Sequence, residues 1–172
     1  MNLRASSDPA VSFYSGGVDH RGRTLDDILA WDDADLESVH DYIQWVFPTR
    51  QPSGVNPHAP LVTPITVESF TADTRLRARL RRAFERMLRF YGLRETSEGI
   101  VPDPARFAAR ARIWLHPGNH NHLRLTRIME SLATLGLPDE ARALQHCLLD
   151  RIAPTSGHVS PATLEFWKRS VR

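Results

Sequence analysis

Leu36, Val39, Ile43, Val46 and Phe47 recur at helical spacing, and predict one amphipathic helix from Leu36 that stops at Pro48. Trp45 and Asp41 fall on the opposite side of that helix. A helix that is apolar on both sides near its end belongs in the interior of a domain. Its polar residues His40, Asp41, Tyr42 and Gln44 then need partners, because an unpaired buried polar group costs ~1–3 kcal/mol. The segment predicts either a buried polar network or a site.

Helical signals continue along the rest of the chain. Thr24 with Asp27 forms a capping-box pattern ahead of a helix over residues 25–31, and Asp32 or Asp33 can cap the central helix. Pro48, Pro52, Pro57, Pro60 and Pro64 exclude helix and internal strand from a long loop, of a length that in a compact domain is often functional. A short helix follows over residues 66–70. Asp73 caps the longest helix, residues 74–91, which ends at Gly92. There Leu76, Leu80, Ala83, Phe84, Met87, Leu88 and Tyr91 form an apolar stripe, opposite a line of Arg75, Arg79, Arg82, Arg86 and Arg89. Asp103-Pro104 starts a helix to about Leu115, burying Phe107, Ala111 and Trp114, and Asn119 or His120 opens one that closes at Gly136. Pro138 opens a helix to about Ile152, and Ser160-Pro161 one to Lys168. No strand alternation stands out, so the expected fold class is all-α, a single compact multi-helix domain over residues 13–172 behind a flexible terminus of residues 1–12.

Composition narrows the functional classes. The 172 residues are enough for one sizeable core, and the net charge is only +2, with Lys168 the only lysine. Nearly all the positive charge is therefore arginine, which suits a GC-rich bacterial genome and, at this net charge, predicts no nucleic-acid partner. One cysteine, Cys147, excludes an internal disulfide. No transmembrane run and no signal peptide are recognised, and a cytoplasmic location is expected.

Two constellations could carry chemistry. Asp41 faces the choice of a bidentate bridge to Arg124 or Arg127, which would either orient helices or line a pocket for an anionic ligand. Trp45, beside Pro48 and the proline-rich loop, could form an aromatic groove for a peptide. His116, His120 and His122 invite a metal, but residues two apart on a helix point about 200° apart, so no metal site and no cofactor are expected. No catalytic elbow or glycine-rich phosphate loop is present. If the chain is an enzyme, His40, Asp41 and His120 are its candidate acid–base residues, with Arg124 and Arg127 as an anion clamp.

The string Leu36-Glu37-x-x-His40-Asp41-Tyr42-Ile43-Gln44-Trp45-Val46-Phe47-Pro48 resembles the conserved domain of the opioid growth factor receptor family. So do Phe13-Tyr14 with Asp19, Gly22-Arg23 and Trp31; Phe90-Tyr91-Gly92; and the segment from His120 to Ile128 with Leu135-Gly136-Leu137. The resemblance covers residues 13–137, with 138–172 expected as helices packed on that domain. In animals the family is associated with binding the pentapeptide methionine-enkephalin, at the nuclear envelope and nucleus. Lacking the long polar tail and basic targeting segments of animal members, the chain looks like a short bacterial one. The resemblance implies a receptor-like domain for a peptide or small ligand, leaning away from an enzyme. A small cofactor-independent enzyme of specialised metabolism is the alternative, and a protein partner or homo-oligomer stays open. Carried over by motif, the ligand-binding candidates are His40, Asp41, Gln44, Trp45, His120, Asn121, Arg124 and Arg127.

Overall fold

A computed structural model of the chain describes residues 8–171. The chain divides into two compact units, Met1–Ala83 with Thr134–Gly136, and Phe84–Ala133 with Leu137–Arg172.

The first unit is helical. Helix α1 (Pro9–Tyr14) starts with proline at its first turn and is capped by the buried Asp8 side chain, which accepts from the Val11 amide at 3.0 Å. Residues 1–7 of the expected flexible terminus lie outside the described residues. The Asp8 carboxylate also accepts from the Thr63 and Thr66 hydroxyls at 3.0 and 2.6 Å. Those bonds tie α1 to the segment around Thr63 and Thr66.

The capping box at Thr24 and Asp27 forms as expected and opens α2 (Leu25–Leu29), while Asp32 caps α3 (Asp33–Ser38). The central helix does not continue. The chain leaves α3 at Val39 with extended backbone and re-enters a single turn, α4 (Ile43–Val46). Side-chain bonds to backbone replace the missing helical ladder: the Tyr42 hydroxyl donates to the Leu36 carbonyl at 3.0 Å, Gln44 Nε2 to the His40 carbonyl at 3.2 Å, and Asn56 Nδ2 to the Asp41 carbonyl at 2.9 Å. Asn56 belongs to the proline-rich loop, which is also pinned by a bridge between Thr49 and Leu61. Helix α5 (Pro64–Ala72) follows behind a Thr63–Thr66 capping box, and α6 (Thr74–Tyr91) begins after Asp73, whose carboxylate accepts from the Arg75 amide. The arginine line on α6 is partly satisfied internally: Arg79 and Arg82 both reach Asp26, each at 3.1 Å, and Arg75 pairs with Asp73.

The second unit corrects the all-α expectation. After Gly92, at φ +74°, strands β1 (Leu93–Thr96) and β2 (Gly99–Pro102) pair antiparallel through a two-residue turn, Arg94 facing Val101. The helix expected from Asp103 starts later, as α7 (Phe107–Trp114), since residues 103–106 form turns closed on the Asp103 carbonyl and carboxylate. Trp114 is buried, whereas Phe107 and Ala111 are half-exposed. Helix α8 (His120–Thr134) buries Leu125, Ile128, Met129 and Leu132 as its spacing predicts. Helix α9 (Pro138–His146) runs into a π-helical segment, Cys147–Ile152, and α10 (Ala153–Ser156), before Ser160 caps α11 (Pro161–Arg169).

Candidate functional site

In the first unit the chemistry gathers around Asp19, in a loop closed by the Val18–Thr24 bridge. Its carboxylate accepts from the Arg21 and Arg23 amides at 2.8 and 3.0 Å, and from Arg23 Nε at 2.7 Å. Gly22, at φ +78°, completes the tight turn. The Arg23 guanidinium then reaches on to Asp41 Oδ1 at 2.9 Å and lies over the Trp31 ring, 5.3 Å from its centre. Arg21 Nε contacts the second oxygen, Asp41 Oδ2, and His20 Nε2 lies 3.6 Å from it. Burial pushes the Asp41 carboxyl up, but Arg23 and Arg21 outweigh it and hold the group below the usual carboxylate range.

Asp41 thus has its arginine partners within its own unit, while Arg124 and Arg127, the partners expected from sequence, belong to the second unit. Asp41 does pair with arginine, as anticipated, but with Arg21 and Arg23, which lie within twenty residues and already share the Asp19 turn. His20 also lies parallel to Trp45 at 6.0 Å and to His58 of the proline-rich loop at 5.2 Å, a three-ring stack. Arg21, Arg23, Val39, His40 and Asp41 border an open cleft of about 440 Å³. Gln44 Oε1 and Trp45 Nε1 are buried without hydrogen-bond partners. Because Asp41 is partly exposed, its arginine contacts are screened, and Asp41→Ala is expected to lower Tm by about 2–4 °C, roughly 1 kcal/mol at this chain length. Differential scanning calorimetry checks this; an unchanged Tm would remove the cluster's structural role.

The other sequence candidates lie in the second unit. Asn121 is fully buried. Its Nδ2 donates to Asn119 Oδ1 at 3.0 Å and lies 3.3 Å from His120 Nε2, while its Oδ1 accepts from the Tyr91 hydroxyl at 3.4 Å and Arg124 at 3.5 Å. Arg127 faces Glu130; burial lowers the arginine's pKa and raises that of the glutamate. His116, His120 and His122 go separate ways: His116 contacts the Arg112 carbonyl, and His122 lies edge-on to Trp114 and Trp167. Among the described residues no group of three or more His, Cys, Asp or Glu could hold a metal ion. Cys147 is buried and its thiol pushed up to about 12, chiefly by burial. No helix among the described residues is long and apolar enough to cross a membrane.

Sequence reasoning missed His20, Arg21, His58 and Asn56. The Asp19-x-x-Gly22-Arg23 turn was a usable signal for the first two, since aspartate and glycine at that spacing mark a side-chain-closed turn. Asn56 bonds locally to Ser53 and to His58, but the contacts that bring His58 and Asn56 to the cluster, to His20 and to the Asp41 carbonyl, span 38 and 15 residues, and no local pattern marks them.

A family model described as the opioid growth factor receptor conserved region matches residues 7–172. The opioid growth factor receptor of Rattus norvegicus is 44% identical over 134 residues, 74% of this chain and 23% of that protein. The Homo sapiens receptor is 43% identical over 136 residues, 75% of this chain and 20% of that protein. Opioid growth factor receptor-like protein 1 of Mus musculus is 31% identical over 145 residues, 80% of this chain and 30% of that protein. The chain thus spans less than a quarter of the length of those two receptors. No solved structure matches it. These relatives are animal proteins, and they lend no support to the bacterial type expected from composition. With a family model covering nearly its whole length and receptors above 40% identity across three quarters of it, the chain belongs to the opioid growth factor receptor conserved-region family.

Proposed function

We propose that this chain is a receptor-type binding module for a short peptide, held in the first unit at the cleft bordered by Arg21, Arg23, Val39, His40 and Asp41. The observation that carries the reading is Arg21. It is fixed from behind, through its amide on Asp19 and its Nε on Asp41, yet its side chain is 65% exposed. That leaves its two terminal nitrogens as a pre-aimed fork for a carboxylate. His40 is exposed on the same cleft, and Val39 supplies apolar surface.

The names of the relatives point the same way, since a growth factor receptor binds a ligand. The acid–base alternative draws less support: an aspartate clamped ionised by two arginines is a weak base near neutral pH. Isothermal titration calorimetry with methionine-enkephalin, free and C-terminally amidated, tests the reading. Saturable binding of the free peptide is expected, weakened about tenfold by Arg21→Ala and to a similar extent by amidation, the loss of one charge-assisted contact. Equal affinity for both peptides in wild type and Arg21→Ala, or no binding of either, would overturn it.

A further inference from the structure

The second unit contains a cleft of about 640 Å³ that shares no residue with the one above. One wall is the hairpin turn, Glu98, Gly99 and Ile100; the other is one face of α9 and the π-helical segment, with Asp139, Arg142, His146, Asp150 and Arg151. We propose that this cleft binds an extended peptide segment that carries a cationic and an acidic side chain.

Three observations argue for it. The first is length. Asp139 and Asp150 are eleven positions apart, about 16 Å at helical rise, which an extended chain covers in about five residues. A groove of that form fits a strand better than a compact metabolite.

The second is charge. Asp139 and Arg142 neutralise each other at 2.8 Å, but Glu98, Asp150 and Arg151 make no ion pair among the described residues. Two carboxylates and one guanidinium on a common cleft call for an occupant bearing both signs. The π-helical segment contributes here. Its wider turn rotates the chain less per residue than an α-helical turn, so Arg151 falls closer to the face of Asp139 than continuous α geometry would leave it.

The third is the hairpin's hydrogen-bond register. The Asp103 amide donates to the Gly92 carbonyl at 2.8 Å, which makes that facing pair a bonded one. Alternation then puts Arg94–Val101 and Thr96–Gly99 in bonded pairs, and turns the N–H and C=O of Ile100 away from β1. Among the described residues the sheet has two strands, so these groups lie on the edge of β2 that no strand pairs with, at the residue through which β2 borders the cleft.

The test is an amide-resolved NMR titration of the full chain with a blocked alanine pentapeptide carrying lysine second and glutamate fourth, and with the isomer that exchanges the two. Saturable shifts are expected at Gly99, Ile100, His146 and Asp150 for one isomer more than the other. Arg151→Glu and Glu98→Lys, both at exposed positions, should each weaken binding roughly three- to fivefold. The proposal is overturned if neither isomer gives saturable shifts up to about 5 mM, if the charge reversals leave the titration unchanged, or if free lysine and glutamate reproduce the same shifts at the same concentrations.

Discussion

Asp19→Ala is expected to lower the unfolding free energy by about 3 kcal/mol. The carboxylate is 0% exposed and accepts three hydrogen bonds, two from backbone amides and one from the Arg23 guanidinium. Truncation leaves two amides without an acceptor and a largely buried guanidinium with Asp41 as its remaining anion. Asp19→Asn keeps an acceptor but no charge, and should cost about half as much. Urea unfolding measures both; a loss below about 1 kcal/mol for the alanine variant would show that the loop is held by its backbone alone. The same replacements probe binding. If the Asp19 turn aims Arg21, Asp19→Asn should weaken peptide binding at the first-unit cleft even where the protein stays fully folded.

How much of this could be read from the sequence divides along one physical line. Features fixed by bonds between near neighbours were read correctly: the Thr24–Asp27 capping box, the Asp32, Asp73 and Ser160 caps, the glycine ends of α6 and α8, and the apolar stripe of α6. Features decided by distant partners were not. The spacing of Leu36, Val39, Ile43 and Val46 suits a continuous helix, yet the Asn56 bond to the Asp41 carbonyl and the pull of Arg21 and Arg23 on Asp41 hold residues 39–42 out of one. The hairpin escaped because each strand has four residues, and three of those in β1 are exposed, too short and too polar a run for a period of two to show. Asp41 was recognised as an acid in need of arginine, but periodicity does not say which arginine, and the Asp19 turn delivers two much earlier in the chain than the pair on α8.

The second large effect is on pH. His122 is 2% exposed, lies between Trp114 and Trp167, and has no hydrogen-bond partner on either ring nitrogen. Burial lowers its pKa and outweighs the opposing effect of the nearby Trp114 backbone, and His116 lowers it further. The imidazole is therefore neutral in the folded chain, while in the unfolded chain it takes up a proton near pH 6.5. A depressed folded pKa means that the unfolded state binds more protons just below that pH. The stability that neutral His122 contributes is thus present above about pH 6.5 and is lost as pH falls toward the folded pKa, at up to about 1.4 kcal/mol per pH unit. Protonation would act first on α11, because the Trp167 indole donates to the His122 carbonyl at 3.2 Å and the Trp167 carbonyl accepts from Gln145 at 2.7 Å. Unfolding free energies measured by denaturant between pH 7.5 and about pH 5 should fall more steeply for the native chain than for His122→Phe, which keeps a ring between the two indoles but cannot titrate. Indole emission should report α11 loosening over the same range. Parallel pH dependences for the two proteins would mean that the acid sensitivity lies elsewhere, and that the buried imidazole is only a spacer between tryptophans.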